Sequence, residues 1–116
     1  MHRGDVVLVD LDPARGSEAS RVRPAILVGN EASIGAAVRH GRGVVTIVPV
    51  TSNDDTRGRM HVPLRPTRLN GLRSSSKAQV EQVRSIDVSR VRTGLGRLGP
   101  GDLDALDEAL RYHLAL

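Results

Sequence analysis

Arg23 stands immediately before Pro24. Proline pushes the residue before it to an extended backbone, so this arginine enters a strand and is held more firmly than one in mid-loop. Its guanidinium is a planar fork that matches two oxygens of a phosphate. Thr51 and Ser52 close an apolar run, Val44–Thr51, and lead into a polar loop, a common place for functional hydroxyls. Lys77 to Arg84 reads Lys-Ala-Gln-Val-Glu-Gln-Val-Arg. As a strand it sets Lys77, Gln79 and Glu81 on one face and Ala78 and Val80 on the other. Gln82 and Val83 reverse that alternation, which predicts a bulge or a polar residue turned inward. An ordinary solvated face accounts for such a pattern in most antiparallel sheets. Asp10 and Asp12 share a strand face and have the oxygen chemistry for a hard cation. Asp12-Pro13 is a better reading as the turn that ends the strand.

Other constellations fail on context. Gly94-Leu95-Gly96-Arg97-Leu98-Gly99 fits the dinucleotide fingerprint, but no second strand with an acidic residue follows, so a turn and helix start is expected. The four histidines show no paired ligand spacing, and Lys77 lacks the glycines of a phosphate-binding loop. No metal and no cofactor is expected.

Composition narrows the partner. The 116 residues include 17 basic and 13 acidic ones, a net charge of +4. Lys77 is the single lysine, so the basic character is arginine, which permits nucleic acid or an acidic protein as partner. Tyr112 is the one aromatic residue, which rules out an RNA face built on stacked aromatic rings. With no cysteine, thiolate metal sites and disulfide scaffolds are excluded. No apolar run approaches a membrane span, and Asp10 interrupts the first apolar run too soon for a signal peptide. A soluble, cytoplasmic protein is expected.

These groups need elements to position them. Apolar runs at 5–11, 24–30 and 44–51 read as strands, with shorter ones at 60–64, 76–84 and 91–98. Residues 14–22 and 52–59 read as loops, and Glu31–Val38 as one or two weak helical turns. Pro100 opens the clearest helix, where Leu103, Leu106, Leu110 and Leu114 form one stripe. The expected architecture is mainly β with one C-terminal amphipathic helix: a small, strongly bent barrel or half-barrel in one domain, 1–116.

The ordered segments Arg3-Gly4-Asp5-Val6, Asp10-Leu11-Asp12-Pro13-Ala14-Arg15-Gly16-Ser17-Glu18, Arg23-Pro24-Ala25, Val48-Pro49-Val50-Thr51-Ser52 and Glu81-Gln82-Val83-Arg84-Ser85-Ile86-Asp87 together resemble the MazF/PemK (Kid) family of bacterial toxins. The resemblance covers nearly the whole chain. It implies a dimeric SH3-like barrel and a metal-independent endoribonuclease that cuts single-stranded RNA and is held inactive by an acidic antitoxin. Its catalytic arginine falls on Arg23 and its catalytic threonine on Thr51. Its loop glutamate falls on Glu18, and the acidic residue used as a base in the PemK/Kid branch falls on Glu81. Arg15, Arg21, Ser52, Lys77, Gln79 and Gln82 are the candidate RNA contacts. Relatives often carry glycine just before the Arg-Pro pair, where this chain has Ala19-Ser20-Arg21-Val22.

The implied reaction asks three things of these residues. A base must take the 2′-OH proton, positive charge must meet the phosphorane oxygens, and the leaving 5′-oxygen must be protonated. Arg23 suits the second, Thr51 or Ser52 can donate to a phosphate oxygen, and Glu18 or Glu81 can accept the proton. DNA lacks the nucleophile and is expected to bind uncut. Two other classes compete. A CcdB-like gyrase poison depends on a C-terminal Trp-Gly-Ile, whereas this chain ends Leu114-Ala115-Leu116. A non-catalytic SH3-like RNA-binding module needs the basic surface but not the Glu18, Arg23, Thr51 and Glu81 set.

Overall fold

The computed structural model describes residues 1–12, 15–18 and 21–116. The apolar runs become β1 (Asp5–Asp10), β2 (Val22–Leu27) and β3 (Val44–Thr51). β4 (His61–Leu64), β5 (Ser76–Gln79), β6 (Arg84–Asp87) and β7 (Val91–Arg97) follow. The helices are α1 (Glu31–His40) and α2 (Pro100–Leu114). All pairings are antiparallel, in the order β4-β5-β3-β2-β1-β7, with β6 also on β3. The path ends at β4 and β7 with no pairing between them, so the mainly β sheet is open rather than a closed barrel.

β1, β2 and β3 are near-continuous apolar runs because both their faces are buried. Val6, Ile26, Val48 and Val50 pack under Leu106 and Ala109 of α2. Val7, Val9, Ala25, Leu27 and Ile47 pack with Ile34 and Ala37 of α1. The helix α1 is longer than the one or two turns expected, spanning ten residues. Asn30 caps its N-terminus by accepting from the Ser33 N–H, and Gly41 closes it at φ 63°. In α2 the apolar stripe stops short. Leu106 is buried and Leu103 and Leu110 pack against the core, but Leu114 is 51% exposed.

The run 76–84 is not one strand. β5 pairs with the C-terminal end of β3 and β6 with its N-terminal half. Between them the chain makes a single 3₁₀ turn, Val80–Gln82, that carries it from one segment to the other. That step, and not a bulge, is what the reversed alternation at Gln82 and Val83 encodes.

Candidate active site

A cleft of about 530 Å³ opens beside the ends of β2 and β3. Arg21, Arg23 and Pro24 line one side, and Val50, Thr51 and Ser52 come from the end of β3. Leu72, Arg73, Ser74 and Ser76 form the opposite wall, with Leu8 and Leu95 contributing apolar surface. Sheet register explains why the two expected catalytic residues meet. Ala25 pairs with Pro49 and Leu27 with Ile47. Beyond that pairing the two strands run on to Arg23 and Thr51, and both residues line the cleft. Both side chains are half-buried. The Thr51 Oγ1 accepts from the Asn53 N–H at 3.3 Å.

Arg21 has φ 68°, the left-handed region that a side chain makes costly. Here the conformation is fixed by two bonds. The Arg21 N–H donates to Asp12 Oδ1 at 2.7 Å, and its carbonyl accepts from the Leu11 N–H at 3.0 Å. The neck below is tied by Arg90, at the end of the 3₁₀ turn Val88–Arg90, and by Arg92 of β7. Arg90 donates to the carbonyls of Asp10 and Asp12, and Arg92 donates to Asp10 Oδ2 at 3.0 Å. The Arg92 hydrogen bond, followed by the Asp12 N–H, holds the Asp10 carboxyl below its usual value. Asp10 and Asp12 are therefore engaged as loop anchors. Among the described residues no group of three or more acidic or histidine side chains could hold a metal ion.

The other expected residues do not line the cleft. Arg15 and Glu18 lie on the exposed loop tip, where Glu18 Oε1 accepts from the Arg15 N–H at 2.8 Å. Gln82 reaches that loop, donating from Nε2 to the Ser17 carbonyl at 3.2 Å. Residues 14, 19 and 20 of the expected 14–22 loop, and residue 13 before it, lie outside the described residues. Lys77, Gln79 and Glu81 do not form the solvated face that alternation predicts. Lys77 is 7% exposed and donates from Nζ to the Asp55 carbonyl at 2.6 Å. Gln79 is half-buried. Glu81 sits in the 3₁₀ turn, with Oε2 at 2.6 Å from His61 Nε2. The 3₁₀ turn breaks the strand geometry on which the shared face depended.

Arg73, Ser74, Leu8 and Leu95 are among the cleft residues that sequence reasoning missed. Arg73 lies in a turn-rich stretch with no spacing to mark it. Its wall is set by Asn70, 1% exposed, which bonds the backbone of Arg65, Thr67 and Leu72.

Comparison with known proteins places the chain in a family. The family model described as PemK-like, MazF-like toxin of type II toxin–antitoxin system matches residues 2–114. Endoribonuclease MazF9 of Mycobacterium tuberculosis is 49% identical over 116 residues, covering 100% of this chain and 98% of that protein. The crystal structure of MazF from Deinococcus radiodurans superposes with a TM-score of 0.81 at 25% identity, covering 100% and 97% of the two chains. A mycobacterial endoribonuclease in complex with its cognate antitoxin superposes at 0.75 with 21% identity, covering 100% and 96%. The cleft that joins Arg23 to Thr51 thus sits in a fold and a sequence shared along the whole chain, and the chain belongs to the PemK-like, MazF-like toxin family of type II toxin–antitoxin systems.

Proposed function

We propose that the chain is the toxin of a type II pair, an endoribonuclease that cuts single-stranded RNA at selected sequences without a metal ion. The observation that supports this best is the meeting of Arg23 and Thr51 in one cleft. The RNA's 2′-OH attacks the adjacent phosphorus, and the 5′-oxygen leaves. Arg23 clamps the non-bridging oxygens as charge builds on them, and Thr51 donates a hydrogen bond to a phosphate oxygen. A carboxylate takes the 2′-OH proton, for which Glu18 and Glu81 are the two candidates, and the departing 5′-oxygen takes a proton from water in the open cleft. The products are a 2′,3′-cyclic phosphate and a 5′-OH. Apolar surface from Leu8 and Leu95 gives a base something to pack on in a cleft without aromatic rings.

The test is cleavage of single-stranded RNA in EDTA with end-group analysis. Strict dependence on added Mg²⁺, or a 5′-phosphate product, would overturn the mechanism. Translation of the cell's RNA then stops, which is the toxic effect.

The protein acts as a homodimer in the cytoplasm. Among the described residues no helix is long and apolar enough to cross a membrane. The mycobacterial neighbour was solved with its cognate antitoxin, and an acidic antitoxin suits the arginine-lined side of this cleft. One basic groove attracts both polyanions, so antitoxin and a non-cleavable RNA compete on the Arg23→Ala protein. Simultaneous binding of both would refute the shared groove.

A further inference from the structure

We propose that residues 52–60 form a strap that sets the Thr51 hydroxyl, and that Lys77, His61 and Glu81 hold this strap in place. Glu81 is then a positioning residue. The inference rests on the reading of Thr51 as a phosphate-contacting group.

The strap joins β3 to β4 and leaves directly from the cleft wall. Residues 52–59 are all exposed and have no regular structure. Apolar burial therefore does not fix their path, and polar ties must. The first tie is at the cleft, where the Asn53 N–H donates to Thr51 Oγ1. The second is at Asp55, whose carbonyl accepts from Lys77 Nζ at 2.6 Å. The third is at Arg57, whose N–H donates to His61 Nδ1 at 2.9 Å. An ion pair between Arg57 and Asp55 is exposed on both sides and adds little.

The second and third ties share one foundation. Lys77 is the direct strand partner of Thr51 across β3 and β5. A backbone N–H can only donate, so His61 Nδ1 must accept and carries no proton. Its proton is on Nε2, which donates to Glu81 Oε2 at 2.6 Å. The carboxylate therefore fixes the tautomer and the plane of the ring, as a partner on the far nitrogen does generally. Glu81 is in turn fixed by the 3₁₀ turn. Its neighbour Val80 is fully buried and donates its N–H to the Met60 carbonyl at 3.0 Å. The short segment 77–81 thus grips the strap at two points and lies alongside the residue the strap starts from.

A buried ammonium is costly without acceptors. Lys77 is 7% exposed, and the Asp55 carbonyl is the acceptor that the strap brings to it. Releasing the strap strands that charge, so the closed position is favoured. Glu81 Oε2 is engaged by His61, Oε1 is buried with no hydrogen-bond partner, and Glu81 is not among the residues that line the cleft, so a role through the strap fits its surroundings better than proton transfer to a bound RNA does. A catalytic group misplaced by about 1 Å can lose roughly 10²-fold in rate, which is the route from Glu81 to activity.

The experiment compares Glu81→Gln with Glu81→Ala in the full chain, by single-turnover RNA cleavage and by amide hydrogen exchange at Arg57. A glutamine oxygen can still accept from His61 Nε2. Glu81→Gln is expected to restore most of the activity that Glu81→Ala loses, with the alanine variant slower by about tenfold or more. Arg57 should lose protection in Glu81→Ala while β3 amides keep theirs. Lys77→Met supplies an independent arm, with slowed cleavage and faster exchange at Arg57, should Glu81→Ala fail to fold. If Glu81→Gln is as inactive as Glu81→Ala while Arg57 stays protected, Glu81 is the proton acceptor and the proposal is wrong. Native rates with an unprotected Arg57, in Glu81→Ala or Lys77→Met, would also overturn it. A native protein that cleaves no RNA would defeat the functional reading instead, and exchange at Arg57 would still report on the strap.

Discussion

On one side of the cleft Arg21 and Arg23 follow a loop whose neck is tied by Asp10, Asp12, Arg90 and Arg92. On the other, Leu72, Arg73 and Ser74 follow a turn organised around buried Asn70. The first wall is shaped by charges and exposed hydrogen bonds. The second is shaped by close packing of backbone on backbone. Gly71 has φ 68°, and a Cβ there would run into the Leu95 carbonyl. A Cβ on Gly96 would run into the Leu69 carbonyl, which accepts from the Arg97 N–H at 2.9 Å. Electrostatic ties weaken with salt and acid, whereas steric fit does not. The groups that would touch phosphate during reaction are thus carried on the adjustable wall, and the fixed wall gives them a constant surface to work against.

The largest expected effect separates the walls by chemistry. Arg23→Ala should lower cleavage by roughly 10²–10³-fold while the protein keeps its fold. Arg73→Ala should weaken RNA binding and reduce its salt slope by about 1, with little change in single-turnover rate at saturating RNA. Equal loss of rate from both would break the comparison. Next comes packing. Gly96→Ala should cost about 1–3 kcal/mol by overpacking, read as a shifted denaturant midpoint, while Gly94→Ala, with open space around it, should be near neutral. Asn70→Ala should cost about 1–3 kcal/mol by leaving buried backbone groups unpaired. Arg21→Gly is smaller and opposite in sign. Relief of the left-handed backbone, less the extra freedom of unfolded glycine, should stabilise by up to about 1 kcal/mol while weakening RNA binding. The smallest effect is acid sensitivity. Asp10 is held below its ordinary value of 3.8, so its contribution is present above that value and lost as the pH falls through the lower folded one. Asp10→Asn should flatten stability below about pH 4 in a pH series of thermal midpoints, and Asn70→Ala should leave that slope alone.

The parts legible in the sequence are those that local pattern decides. The run at Val44–Thr51 and the Leu103, Leu106 and Leu110 stripe carry their own periodicity, and Pro24 marks Arg23 as extended. The helix α1 is only weakly marked in the sequence because Gly35 and several alanines blur its stripe, although Asn30 and Gly41 mark its ends. What sequence could not show depends on distant partners. Splitting of the 76–84 run follows from β3 offering one edge to two strands in succession. Burial of Lys77 depends on a carbonyl 22 residues away. Arg73 is placed by contact of its turn with β7, and nothing near it in sequence announces that contact.

The pairing of β1 with β7 joins the first strand to the last. Leu98 donates its N–H to the Gly4 carbonyl, and Arg3 reaches Asp107 of α2 at 2.7 Å. Leu8 and Leu95, one from each strand, both face the cleft. During synthesis, then, Arg23, Thr51 and Ser52 emerge well before the surface they work against exists. A ribosome still reading the message carries these proposed site residues on an unfinished mould, and the cleft is assembled only once that passage of the message has been read. Cleavage by nascent chains stalled before residue 91 would contradict this order of events.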